Sequence, residues 1–200
     1  MAAPTDTFEF PRTGKKARNR AVVAAMTNKQ SNEDGTLSDE EINWLIRRAE
    51  GGFGIVTTAA THVVPEGQGW DGEMGVWGDH QLPGLTRLAT GINEHGAISL
   101  AQIFHGGMRC PQRLTGVQPV SASINSTSDS DNGETRALED SEIEELVEAF
   151  ATAAARCEKA GFDGVEIHGA HGYLVCQFLG TETNRREDRW GGSLENRARF

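Results

Sequence analysis

The sequence predicts an α/β fold built from parallel strand–helix units, on three observations. Short β-branched apolar runs alternate with segments of helical periodicity. Capping residues punctuate that alternation, with Ser-x-x-Glu before two of the helical runs and glycine after them. The fingerprint G-x-G-x-x-G, which a dinucleotide-binding unit places after its first strand, is absent. Pattern alone leaves a doubly wound sheet and a barrel both open.

Taken in order, Ala21 to Met26 is a compact apolar run and reads as the first strand. Ser38-Asp39-Glu40-Glu41 opens a helix whose apolar positions are Ile42, Leu45, Ile46 and Ala49, and Gly51-Gly52 stops it. Gly54 to Ala59 is the second strand. Leu85, Leu88, Ala89 and Ile92 mark a second helix closed by Gly96, and Ala97 to Phe104 is the third strand. A long connection follows from His105 to about Glu139, and its Ser/Asn/Asp-rich part, Ser121 to Gly133, reads as a surface excursion. Ser141-x-x-Glu144 opens a third helix with Ile143, Leu146, Val147, Phe150, Ala151 and Ala154 on one stripe, ending at Gly161. Asp163 to His168 is the fourth strand, and Ser193 to Asn196 begins a fourth helix. Four such units imply parallel strands joined by right-handed crossovers.

The 200 residues fit one domain, 1–200, and 37% hydrophobic against 24% charged residues argues for a packed core. With 19 Lys and Arg against 29 Asp and Glu the net charge is −10, which argues against nucleic acid and anionic membrane surfaces as partners. Cys110, Cys157 and Cys176 are an odd set without C-x-x-C spacing, which fits a reducing compartment. No secretory leader is visible and no apolar run approaches ~20 residues. The expectation is a cytoplasmic protein.

In parallel α/β architectures functional groups gather where strands end. The residues following the predicted strands are Met26-Thr27, Ala60-Thr61-His62, Gln102 to Gly107, and His168-Gly169-Ala170-His171-Gly172-Tyr173. The last cluster is the richest. Small residues between His168 and His171 let the backbone turn tightly, so two imidazoles and the Tyr173 phenol can face one volume. Two hydrogen-bond donors beside a phenol suit a reaction that builds negative charge on a carbonyl oxygen and needs a proton nearby. The same pair could be a metal site or merely structural. A zinc site would need a third ligand, which spacing does not place among His62, His105 and Glu166. No metal is expected. Trp44, Trp70 and Trp77 read as packing residues, and Glu166 as belonging to a barrel interior or its ion pairs.

The stretch Gly161 to Leu174, followed by Gln177-Phe178-Leu179, Thr183-Asn184-Arg185-Arg186 and Gly191 to Phe200, closely resembles the old yellow enzyme family. Gln102 to Gly107 and Met26-Thr27 fit the same family at the ends of earlier strands. The resemblance covers the chain from about Asn19 to Phe200. It implies a TIM (β/α)8 barrel with FMN over the carboxyl-terminal mouth and NAD(P)H as reductant. By resemblance, Ala25, Met26, Thr27, Ala60 and Gln102 line the flavin, His168 and His171 hold a substrate carbonyl oxygen, and Tyr173 is the proton donor. The implied activity is hydride transfer from reduced FMN to an activated alkene such as an α,β-unsaturated carbonyl compound. Alternatives within the resemblance are amine dehydrogenation or demethylation and a non-catalytic half that stabilises a partner. Three residues depart from the family's pattern: Ala25 stands where Pro is usual, Gly180-Thr181 replaces Ser-Pro, and Trp190 stands where Tyr is usual.

Only about the first four of eight strand–helix units are present. The implied expectation is a complementing polypeptide that carries the other half, with self-association or a fragment of a longer product as alternatives.

Overall fold

A computed structural model describes residues 2–200. Its elements run β1 (Phe8–Glu9), β2 (Lys16–Ala17), β3 (Val22–Val23), α1 (Asp39–Glu50), β4 (Ile55–His62), β5 (Met74–Gly75), α2 (Leu82–Glu94), β6 (Ile98–Phe104), α3 (Gln112–Thr115), β7 (Val120–Ser121), β8 (Arg136–Ala137), α4 (Asp140–Ala160), β9 (Gly164–Ile167), α5 (Leu174–Leu179) and α6 (Leu194–Arg197). The main sheet has the order β3-β4-β6-β9, all parallel, with β5 added beside the end of β4. These are the four predicted units. Every residue of β4 is buried, as expected of a central parallel strand covered on both faces.

The outer face of the sheet presents Val56, Ala101 and Ile103 to Ile42 and Leu45 of α1, Leu88 and Ile92 of α2, and Phe150 and Ala153 of α4. Each large aliphatic side chain buried there contributes about 1.5–3 kcal/mol. Gly91 sits where α2 crosses α1, and a β-carbon there would run into the side chain of Ile46. On the inner face Phe8, Phe10 and Ala17 of the amino-terminal hairpin pack on Ile55, Ile98 and Leu100, closing the amino end of the sheet. Lys15 Nζ reaches Asp163 Oδ1 at 2.5 Å, tying that hairpin to the start of β9.

Several elements differ from the sequence reading. The first strand keeps only Val22 and Val23 in the ladder, because β4 pairs with no residue beyond Val23. The box at Ser38 is half formed. Ser38 Oγ accepts from Glu41 N at 3.1 Å, but the Glu41 carboxylate turns to Asn28 Nδ2 (2.8 Å) and Ser31 Oγ instead. Burial raises the pKa of Glu41, and its bonds fix the loop that follows β3. Replacing Ser38 with alanine is expected to cost about 1 kcal/mol, read as a lower urea midpoint at unchanged slope. An unchanged midpoint would mean that tertiary packing alone sets this helix start.

Helix α4 begins at Asp140 rather than after Ser141, and Glu139 N donates to Glu142 Oε2 at 2.8 Å. Its buried stripe is Ile143, Phe150, Ala153, Cys157 and Ala160. Val147 and Ala151, placed on the stripe by periodicity, instead line an open apolar groove with Val165, Ile167 and Phe200. The groove lies beside β9, the free edge of the sheet, where Ile167 is 60% exposed. The connection after His105 is not a solvated excursion throughout. Ser121, Ala122 and Asn125 are buried, and Asn125 Nδ2 donates to Ser121 Oγ, Ser123 O and Thr183 O. Among the described residues no helix is long and apolar enough to cross a membrane.

Candidate active site

Four parallel strands bring their carboxyl ends to one rim, and a small recess of about 110 Å³ opens there. Its floor is made by Ala25 beyond β3, Ala60 on β4 and Gln102 on β6, with Thr27 beside them. Register explains this convergence, since Ala60 lies opposite Gln102 and Gln102 opposite Glu166. Its wall is formed by His168, His171, Tyr173 and Trp70. Met26 alone of the predicted site residues falls outside: it is 52% exposed and absent from the lining. Adjacent residues on an extended segment point to opposite sides, so Ala25 and Thr27 face the recess while Met26 does not.

The chain carries larger openings elsewhere. One, about 520 Å³, lies between the 117–120 and 136–138 segments and the first turns of α4. Its Arg136 is already paired with Glu142 at 2.6 Å, and none of the predicted site residues lines it. Convergent polar groups at strand ends, not volume, single out the smaller recess.

The imidazoles form a directed chain. His168 N continues the ladder to Ile103 O (3.0 Å), which fixes where its side chain emerges. Its Nδ1 accepts from Ala170 N (3.3 Å), so a neutral His168 carries its proton on Nε2. That proton points at His171 Nδ1, 3.2 Å away, leaving the proton of a neutral His171 on Nε2. Burial and then the neighbouring His171 lower the pKa of His168, which favours this neutral form. A carbonyl oxygen that displaces the His–His bond would meet a donor from each ring. The turn from His171 to Tyr173 is tight: His171 has φ 56° and Gly172 φ 72°, two successive left-handed residues.

Tyr173 packs edge-on to His168, with centroids 4.8 Å apart, and to Phe104 at 4.9 Å. Burial raises its pKa, so the phenol stays protonated and available as an acid. Phe104 also meets Trp70 at 5.4 Å, forming an aromatic backing behind the recess. Trp70, read from the sequence as packing, therefore reaches the site. It arrives from the connection after β4, held by the buried carboxylate of Glu73, which accepts from Gly69 N at 2.6 Å. Burial pushes the pKa of Glu73 well up. Glu166 makes no ion pair among the described residues, and its Oε1 accepts from Gln102 Nε2 at 2.5 Å.

His62 and His105 lie deeper, both buried. Trp77 Nε1 donates to His62 Nε2 at 3.1 Å, which places the proton of a neutral His62 on Nδ1. Gly107 N donates to His105 Nδ1 at 2.9 Å. Among the described residues no three potential ligands come together to hold a metal ion. Of the departures from the family's pattern, Trp190 is buried with Nε1 on Asp140 Oδ1 (2.5 Å), and Gly180 ends α5 with its N–H on Cys176 O.

A half-ring of parallel strands with hydrogen-bonding side chains gathered at their carboxyl ends is one half of an α/β barrel. Residues 12–200 match the NADH:flavin oxidoreductase / NADH oxidase family, and the chain belongs to it. The cofactors of that family are FMN and a reduced nicotinamide. The chain is 45% identical over 195 residues to the Bacillus subtilis protein named "Probable NADH-dependent flavin oxidoreductase YqiG", covering 96% of this chain and 51% of that protein. It is 40% identical to the NADH:acrylate oxidoreductase of Vibrio harveyi, covering 100% of this chain and 20% of that one. The solved old yellow enzyme homologue of Zymomonas mobilis superposes with a TM-score of 0.89 at 32% identity, covering 98% of this chain and 56% of that structure. The chain thus spans about half the length, or less, of the relatives it matches.

Proposed function

We propose that this chain provides the substrate-activating half of an FMN-dependent ene-reductase whose barrel is completed by a polypeptide segment carrying the remaining strands. The observation behind this reading is the meeting of His168, His171 and Tyr173 with Ala25, Thr27, Ala60 and Gln102 around one recess. These residues fit an isoalloxazine edge: two methyl side chains leave a shallow floor, and an amide and a hydroxyl offer hydrogen bonds at its side. A cofactor phosphate in TIM barrels is commonly held after strands seven and eight, so the ring is what this half would hold. When bound and reduced by NAD(P)H, FMN supplies a hydride equivalent to the β carbon of an alkene conjugated to a carbonyl or carboxyl group.

The residues of this chain do the rest. His168 and His171 donate to the substrate oxygen on which negative charge develops, and Tyr173 delivers a proton to the α carbon. Trp70 and Phe104 form an apolar backing that keeps water from that proton. Relatives named for acrylate and fumarate reduction point to small carboxylate-conjugated alkenes within this class.

The test is to produce the chain with and without a segment supplying strands five to eight, then record visible absorption and NAD(P)H consumption. Flavin bands and consumption stimulated by acrylate or cyclohexenone in the completed barrel are expected. Bound flavin with no alkene-stimulated turnover would overturn the reading.

A further inference from the structure

Two successive left-handed residues, His171 and Gly172, place the Tyr173 ring, and their carbonyl groups are held from two sides, one by the neighbouring Gly107–Arg109 turn and the other by Gln177 of α5. Arg109 Nη1 donates to His171 O at 2.8 Å. Gln177, fully buried, donates through Nε2 to Gly172 O at 2.7 Å and accepts from Met108 N at 3.2 Å. The turn at Gly107–Arg109 is itself close-packed, since a β-carbon on Gly107 would strike the Gln177 amide. The Arg109 guanidinium also lies over the Tyr173 ring, its Cζ 4.9 Å from the centroid. One side chain therefore grips the backbone of one candidate catalytic residue and the face of the next.

We infer that Arg109 is a positioning residue, which holds the His171 peptide in its left-handed conformation and fixes the Tyr173 phenol against the histidine pair. The inference rests on the ene-reductase reading for its functional meaning but not for its geometry. A non-glycine residue in the left-handed region costs roughly 1–2 kcal/mol, so the His171 peptide needs a partner to persist there. A guanidinium suits both tasks, because its planar fork can donate at its edge while its face stacks on an aromatic ring.

The charge of Arg109 also acts on the phenol. Burial raises the pKa of Tyr173, Arg109 opposes that, and the nearby Glu73 carboxyl and Cys110 thiol reinforce it. His168 and His171 complete the set of ionisable groups facing the ring.

Tyr173 is the only tyrosine among the 200 residues, so its state can be read without interference from another phenol. The experiment compares the wild-type chain with Arg109→Gln and Arg109→Lys by near-ultraviolet phenolate absorption during alkaline titration. The single set of tyrosine ring signals is also followed by NMR at neutral pH. Arg109→Gln is expected to raise the phenolate midpoint by about 0.5–1 in pH and to displace the ring signals. Arg109→Lys, which keeps charge but not the fork, should recover most of the midpoint while the ring signals stay displaced. In the completed barrel, both variants should lower kcat for alkene reduction more than they raise KM. Ring signals that coincide in all three proteins would overturn the inference. A wild-type barrel without alkene turnover would overturn the ene-reductase reading instead, while leaving the titration and NMR comparison intact.

Discussion

Replacement of Tyr173 by phenylalanine is expected to slow alkene reduction in the completed enzyme by about 10²–10⁴-fold, the range typical of a lost general acid. Flavin reduction by NAD(P)H should stay within about threefold of wild type, because that step needs no proton from the phenol. Phenylalanine keeps the edge contacts to Phe104 and His168, at 4.9 and 4.8 Å, so packing is preserved while the acidic proton is removed. Rapid-mixing measurements that follow each half-reaction separately make the check. Equal losses in both halves would mean that Tyr173 shapes the recess instead of donating. Removing an imidazole should act differently: His168→Ala or His171→Ala takes one donor from the developing oxyanion, a loss of about 10²–10³-fold by analogy with other oxyanion sites.

Acidification is expected to destabilise the fold by several kcal/mol between neutrality and about pH 3. Burial lowers the pKa of His62 from 6.5 to about 4 and that of His105 from 6.5 to about 3. For both, the folded value lies below the unfolded one, so the unfolded chain binds more protons as pH drops below 6.5. Their stabilising contribution is present above that value and lost as pH falls through the folded values. A tenfold change in proton affinity corresponds to roughly 1.4 kcal/mol, giving on the order of 3 kcal/mol for His62 and 5 kcal/mol for His105 when complete. Glu73 works in the opposite direction. Its raised pKa contributes below the ordinary value of 4.5 and is lost as pH rises through the folded value. The two histidines dominate the acid side, and urea midpoints at pH 7, 5 and 4 should fall steadily. A flat series would mean that water reaches both rings.

The sequence made the periodic parts legible. Helices α1, α2 and α4 were readable because their apolar residues recur at helical spacing and glycines follow them. The histidine pair and Tyr173 were readable because small residues surround them at a strand exit. Helix α5 was not, since Leu174–Leu179 is six residues long and too short to show a period. Trp70 was hidden for another reason. Its place in the recess depends on a buried carboxylate, Glu73, folding a connection back over the strand ends, and no local pattern encodes that. Met26 lies off the recess lining because it shares an extended segment with Ala25 and Thr27, and only every second side chain there meets the recess. The connection after His105 looked solvated from composition, yet the buried Asn125 uses its amide to hold three partners, Ser121, Ser123 and Thr183.

The hairpin at the amino end of the sheet has a consequence for the order of assembly. Phe8, Phe10 and Ala17 find their cover only on Ile55, Ile98 and Leu100, and Lys15 finds its anion 148 residues further on, at Asp163. At typical ribosomal speeds of about 5–20 residues per second, roughly 7–30 s separate the emergence of the first group from that of its last partner. The hairpin thus gains its apolar cover once Leu100 has emerged, well before its ion pair can form. Its clasp records that the strands above it have already lined up. A chain arrested before Ile55 should leave those two phenylalanines open to chaperones, whereas one arrested between Leu100 and Asp163 should cover them and lack only the ion pair.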